Sequence, residues 1–125
     1  NSLEIRRLAG CDDLDTAVAR LTAAGARAIW LKGGHEPGDS LVNRLHVDGR
    51  LVLETVQPRL PGEFHGSGCT LAAALAAGLA AGLDLVAAAR QAEALVRIAL
   101  QEADAPRPDG QRLPRRIRPC PPAAD

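Results

Sequence analysis

The run His65-Gly66-Ser67-Gly68-Cys69-Thr70 leads at once into an alanine- and leucine-rich stretch, Leu71 to Leu83. It puts a thiol where a glycine-rich loop turns into a helix. A helix N-terminus carries unpaired N–H groups and a partial positive charge, so it attracts anions. Glycines just before it remove the Cβ atoms that would hold a phosphate away from those amides. Gly66, Ser67, Gly68 and Cys69 therefore read as a cradle of backbone amides for an anion. The same field favours a thiolate, which would set a deprotonatable group beside developing negative charge. On spacing alone a plainer reading stays open: a glycine-rich helix start with a small buried cysteine, a residue type often found inside.

The stretch is no P-loop, because no Gly-Lys-Ser/Thr closes it. Lys32, the only lysine among 15 basic residues, lies instead in LKGGHEPG, at the C-terminal end of an expected strand. Open α/β sheets bind ligands outside the carboxyl ends of their strands. Lys32 is thus expected to face the same rim as the glycine-rich loop and to reach a transferring phosphate as a point charge. Taken by itself it reads as an ordinary surface lysine. His35 reads as a turn residue rather than a base or ligand.

Several elements must position these groups. NSLEIRRLAG reads as a short helix closed by Gly10, and an opening inside a helix suggests a chain that begins mid-fold. DDLDTAVARLTAAG has acidic residues in its first turn, Leu14, Val18 and Leu21 on one stripe, and Gly25 as its stop. ARAIWLKGG reads as a buried strand, and helix followed by strand suggests α/β layering. In SLVNRLHVDGRLVLETV, Asp48-Gly49 sits between two β-prone runs and predicts a tight hairpin. An antiparallel hairpin at the edge of an otherwise parallel sheet is the simplest assembly. Two helices follow. Leu71, Leu75 and Leu79 mark the first; Asp84 caps the second, whose expected buried stripe is Leu85, Ala88, Ala92, Leu95 and Ala99. Arg90, Glu93, Arg97 and Gln101 are expected on its wet side. From Pro106 the sequence is rich in proline and arginine without periodicity, and reads as an extended or disordered tail.

Length and charge bound the function. The 125 residues suit one domain, and 46% hydrophobic residues are normal for a core. Aromatic residues make up only 2%, and the formal net charge is zero. Neither base stacking nor an electrostatic footprint for nucleic acid or an anionic membrane is expected. Cys11, Cys69 and Cys120 are widely spaced with no CxxC, so they read as reduced thiols rather than a zinc site. The Leu71–Leu83 run is too short to span a bilayer, and a cytoplasmic location is expected.

LKGGH, the Asp-Gly hairpin and FHGSGCTLAAALAAGLAAGLDLVAAARQAEALV, in that order, resemble the C-terminal half of the hydroxymethylpyrimidine/phosphomethylpyrimidine kinases of thiamine biosynthesis, in the ribokinase-like superfamily. The resemblance runs from Asn1 to about Glu102. It implies the C-terminal part of a three-layer α/β/α fold, its sheet mostly parallel with an antiparallel edge hairpin. Residues 1–105 would be the ATP-binding half of the kinase domain, and 106–125 the tail. The resemblance makes Gly66, Ser67, Gly68 and Cys69 the anion hole for the phosphoryl group in flight. It sets Cys69 at the base position, where most ribokinase-like enzymes carry aspartate, and brings Lys32 to the ATP phosphates. NSLE matches the superfamily's Asn-x-x-Glu motif, which implies that Asn1 and Glu4 organise phosphate and Mg²⁺. Ser67 stands where threonine is commoner, a mild departure because backbone amides carry the role. The family's N-terminal half is not in the sequence, so the chain is expected to be a fragment or a truncated relative. ATP and Mg²⁺ are the implied cofactors, a hydroxymethylpyrimidine or its phosphate the substrate, and a homodimer the implied assembly. A pyridoxal kinase is the alternative within the superfamily. A non-catalytic module for oligomerisation or partner binding is the alternative from another class.

Overall fold

A computed structural model describes residues 1–104, 106 and 108–116. It divides into two compact units, Asn1–Arg59 and Leu60–Asp125.

The first unit opens with α1 (Ser2–Ala9) and α2 (Leu14–Ala23). Asn1 caps α1 by accepting from the amides of Leu3 and Glu4, and Asp13 caps α2 by accepting from Thr16. Each cap satisfies donors that the first turn leaves over. Three strands follow: β1 (Ala28–Lys32), β2 (Ser40–Val47) and β3 (Arg50–Pro58), in the order β1-β2-β3. The expected hairpin is present. Asp48 and Gly49 both take positive φ, 48° and 77°, as a two-residue turn between right-twisted strands requires. Ile5, Ala17, Val18 and Leu31 form the core, with Leu14, Leu21, Ile29 and Cys11 packed against it.

Two expectations change here. β1 pairs antiparallel to β2, so the three-stranded sheet is antiparallel throughout. Residues 33–39 are too few for a crossover, and a connection that short can only reverse the chain. The parallel pairing among the described residues is between β4 (Glu63–Phe64) and β5 (Gln111–Arg112). β1 is also less buried than its apolar sequence suggests. Leu31 is buried while Ile29 and Trp30 are half-buried, because β1 is an edge of the described sheet.

The second unit carries α3 (Ser67–Ala80) and α4 (Leu85–Gln101), with Asp84 capping α4 through the Ala87 amide at 2.9 Å. The helices approach closely at Gly78, where an added Cβ would lie 3.2 Å from the Ala88 Cβ. That contact chooses the buried face of α4. Ala88, Ala92 and Ala99 are inside as expected, but Ala89, Glu93 and Val96 join them and Leu95 is exposed. The sequence admits both stripes, which lie about a third of a turn apart. Close packing at Ala88 selects the one that buries Glu93, expected on the wet side. On α3, Leu71 is buried and Leu79 exposed.

Part of the expected tail belongs to this unit. β5 lies beside β4, with the His65 amide donating to the Arg112 carbonyl at 3.0 Å. The Arg115 amide donates to Ala99 at 2.8 Å, and Pro114 is buried. A two-residue strand flanked by proline and arginine has no periodicity to betray it. The expectation for 117–125, like those for 105 and 107, lies outside the described residues. No helix among the described residues is long and apolar enough to cross a membrane.

Candidate functional site

α3 begins abruptly. Its N-cap is Gly66 at φ 85°, with no side-chain cap and no acidic residue in the first turn. The Gly66 carbonyl accepts the Thr70 amide at 3.0 Å, the first intrahelical bond. The amides of Ser67, Gly68 and Cys69 precede that bond, so the helix itself offers them no acceptor. Gly66, Ser67 and Gly68 are half-buried and Cys69 is exposed. The corner is open to a solute. The plainer reading of Cys69 as a small buried residue does not hold, because the thiol sits on the outer side of the first turn.

In the first unit, Asn1, Glu4 and Lys32 are held at one end. Asn1 Oδ1 accepts from Leu3 and Glu4, each at 3.0 Å, and the Glu4 carboxylate accepts from the Asn1 backbone nitrogen. This reciprocal box fixes the Asn-x-x-Glu pair. Lys32 ends β1, as the sequence predicts. Its successor Gly33 is buried and donates its amide to Asn43 Oδ1 at 3.1 Å.

The loop after Lys32 is tied down by two arginines that the sequence did not single out. Arg6 on α1 grips Glu36 with a two-point fork, at 2.7 and 3.1 Å. Arg59 donates to three loop carbonyls, those of Gly38, Gly34 and Glu36, at 3.1, 2.8 and 2.8 Å. These bonds brace the loop beside Lys32. Only fold-level pairing could reveal these partners, which stand 21 to 30 residues away in sequence. The Arg6 guanidinium holds the Glu36 carboxyl down to about 2 from a usual 4.5. A carboxylate depressed on folding stabilises above its unfolded pKa, and that stability is lost as pH falls through the folded one. Arg6→Gln is therefore expected to destabilise the first unit near neutral pH. The difference should mostly vanish by about pH 2, and urea unfolding followed through Trp30 fluorescence measures it. An equal deficit at both pH values would remove the ion pair from the account.

The residues nominated from sequence fall into two groups. Asn1, Glu4 and Lys32 belong to the first unit, and Gly66, Ser67, Gly68 and Cys69 to the second. Among the described residues no three His, Cys, Asp or Glu side chains gather as a metal site. Cys11 and Cys69 are free thiols, and Cys120 lies outside the described residues. A concavity of about 550 Å³ in the first unit is lined by Asp15, Val18, Thr22, His46 and Leu51 among others. None of the nominated residues lines it, and it offers no cluster of cations or free amides for phosphate.

Comparison with known proteins supplies the family. A family model described as phosphomethylpyrimidine kinase matches residues 1–113. The hydroxymethylpyrimidine/phosphomethylpyrimidine kinase of Synechococcus elongatus is 40% identical over 108 residues, covering 81% of this chain and 41% of its own length. The Bacillus subtilis protein of the same name is 35% identical over 95 residues, covering 75% of this chain and 35% of its own. The chain thus spans about two fifths or less of these relatives. Among solved structures, Staphylococcus aureus pyridoxal kinase in complex with AMP-PCP and pyridoxal superposes with a TM-score of 0.79 at 26% identity. That match covers 90% of this chain and 44% of the other. The fold is part of the ribokinase-like α/β class, as the sequence led one to expect.

Proposed function

The chain belongs to the phosphomethylpyrimidine kinase family, and from that premise we propose that it is the ATP-binding part of an enzyme that phosphorylates 4-amino-5-hydroxymethyl-2-methylpyrimidine or its monophosphate in thiamine biosynthesis. The observation that carries this reading is the uncapped start of α3, where a glycine turn and three amides with no partner among the described residues meet an exposed thiol.

Phosphoryl transfer asks mainly for positioning and charge stabilisation. The hydroxymethyl oxygen attacks the γ-phosphorus, the bond to the β,γ-bridging oxygen breaks, and ADP leaves. The amides of Ser67, Gly68 and Cys69, with Gly66 leaving room for close approach, stabilise the migrating group's oxygens. The hydroxyl proton passes to Cys69 Sγ, the proposed general base. Lys32 contributes a point charge to the ATP phosphates. Mg²⁺ typically keeps several waters and takes one or two carboxylates plus substrate phosphates. Glu4 fits that demand through water. Asn1 does not fit as a direct ligand, because its Oδ1 already accepts two amides; it serves by holding Glu4. When bound, the ion would neutralise charge on the phosphates.

The test is a coupled assay of ADP release by the gene product carrying this chain, with hydroxymethylpyrimidine and pyridoxal side by side. Preferential turnover of hydroxymethylpyrimidine is expected. Preference for pyridoxal would instead favour the second reading, which rests on the pyridoxal-bound structural neighbour. Absence of both turnover and AMP-PCP binding at millimolar nucleotide would favour a non-catalytic module.

A further inference from the structure

The guanidinium of Arg116 lies across the start of α3. Its Nε donates to Thr70 Oγ1 at 2.9 Å, and Thr70 Oγ1 donates in turn to the Gly66 carbonyl at 2.8 Å. Arg116 Nη2 reaches the same carbonyl at 3.4 Å. Thr70 is buried while Arg116 is exposed, so the relay runs from the surface to a hydroxyl under the turn. The backbone keeps Gly66 bare, because its φ of 85° disfavours a side chain; an added Cβ would meet only the movable end of Arg116.

Helix electrostatics do not explain an arginine here. Cations gain at a helix C-terminus and lose at an N-terminus, and α3 has no acid in its first turn to offset the charge. The residue is delivered by the fold. β5 is registered against β4, and the Arg115 amide is fixed to the end of α4. The next side chain then falls on Thr70.

We propose that Arg116 is a positioning residue of the phosphate-binding turn. Through Thr70, and directly, it fixes the Gly66 carbonyl and hence the direction in which the amides of Ser67, Gly68 and Cys69 point. This inference rests on the kinase reading above.

Steady-state kinetics of Arg116→Ala, Arg116→Lys and Thr70→Val, in the gene product carrying this chain, test it. Arg116→Ala is expected to lower kcat about tenfold or more, since misplacement near an ångström can cost about a hundredfold. KM for hydroxymethylpyrimidine should stay within about twofold, because the role proposed for Arg116 is to orient the phosphate-binding amides. Lysine should not rescue, as one ammonium cannot imitate a planar fork that serves two acceptors. Thr70→Val should give a comparable loss, and the double variant should be no worse than the poorer single one, the mark of a shared network. A purely structural role would lower the melting temperature while kcat per folded molecule stayed at wild type. That result, or full rescue by lysine, overturns the proposal. If the wild type binds AMP-PCP without turnover, Arg116→Ala should weaken that binding by about fivefold, and unchanged affinity would overturn it. A wild type with neither turnover nor AMP-PCP binding defeats the kinase reading and this inference together. An active wild type matched by Arg116→Ala defeats this inference alone.

Discussion

Replacing Cys69 by alanine is expected to lower kcat about 100- to 1,000-fold and leave KM for ATP within about threefold. The asymmetry follows from where the two kinds of group sit. In the proposed mechanism nucleotide phosphates meet backbone amides, which any residue at position 69 retains. The acceptor hydroxyl is proposed to meet the side chain, and a positioned proton acceptor typically contributes a factor of about 10² to 10⁴. The exposed thiol on the first turn of α3 suits that task, since a group sealed under the surface could not meet a substrate. Aspartate at this position should restore much of the loss because it again supplies a base, whereas serine should restore little. The measurement is steady-state turnover of hydroxymethylpyrimidine by the gene product carrying this chain. Alanine within threefold of wild type would remove Cys69 from the chemistry and leave the amides as the whole site.

The second large effect concerns a pair of adjacent glycines. Gly33→Ala is expected to destabilise the first unit by about 3 kcal/mol or more, and Gly34→Ala by well under 1 kcal/mol. A Cβ on Gly33 would overlap the Val42 carbonyl oxygen and lie 3.2 and 3.3 Å from that residue's carbonyl carbon and nitrogen. All three atoms are backbone of β2, so no side chain can turn aside and the strands must part. A Cβ on Gly34 meets only Leu41 Cδ2, at 4.0 Å, an ordinary contact. Urea unfolding reported by Trp30, which pairs with Leu45 in the same sheet, compares the two variants directly. A loss of about 3 kcal/mol should lower the melting temperature by about 10 °C. Equal stability of the two variants would show that β1 and β2 are not held as described. Gly33 also follows Lys32 directly, so the Gly33 variant should impair phosphate binding beyond its effect on folding, while Gly34→Ala should not.

Local rules were legible in the chain itself. Asn1 and Asp13 cap α1 and α2, Asp84 caps α4, and Asp48-Gly49 turns the hairpin, each because one or two neighbouring residues settle the outcome. The glycine-rich start of α3 was legible for the same reason: the free amides of a helix end need no distant partner. Strand direction was less so, although the brevity of residues 33–39 was there to be counted.

What the tertiary structure alone decided depends on partners far away in sequence. The apolar spacing of α4 admits two buried stripes, and only the close approach of Gly78 to Ala88 shows that Val96 goes inside and Leu95 stays out. Arg6 and Arg59 become braces of the Lys32 loop only because the fold carries them to Glu36 and to the loop carbonyls. Arg116, one of several arginines in a stretch without periodicity, finds Thr70 across 46 residues because β5 pairs with β4. Capping and turn formation are settled within a few bonds of one residue. Packing and long-range hydrogen bonding are settled by which surfaces meet, and no local pattern records that.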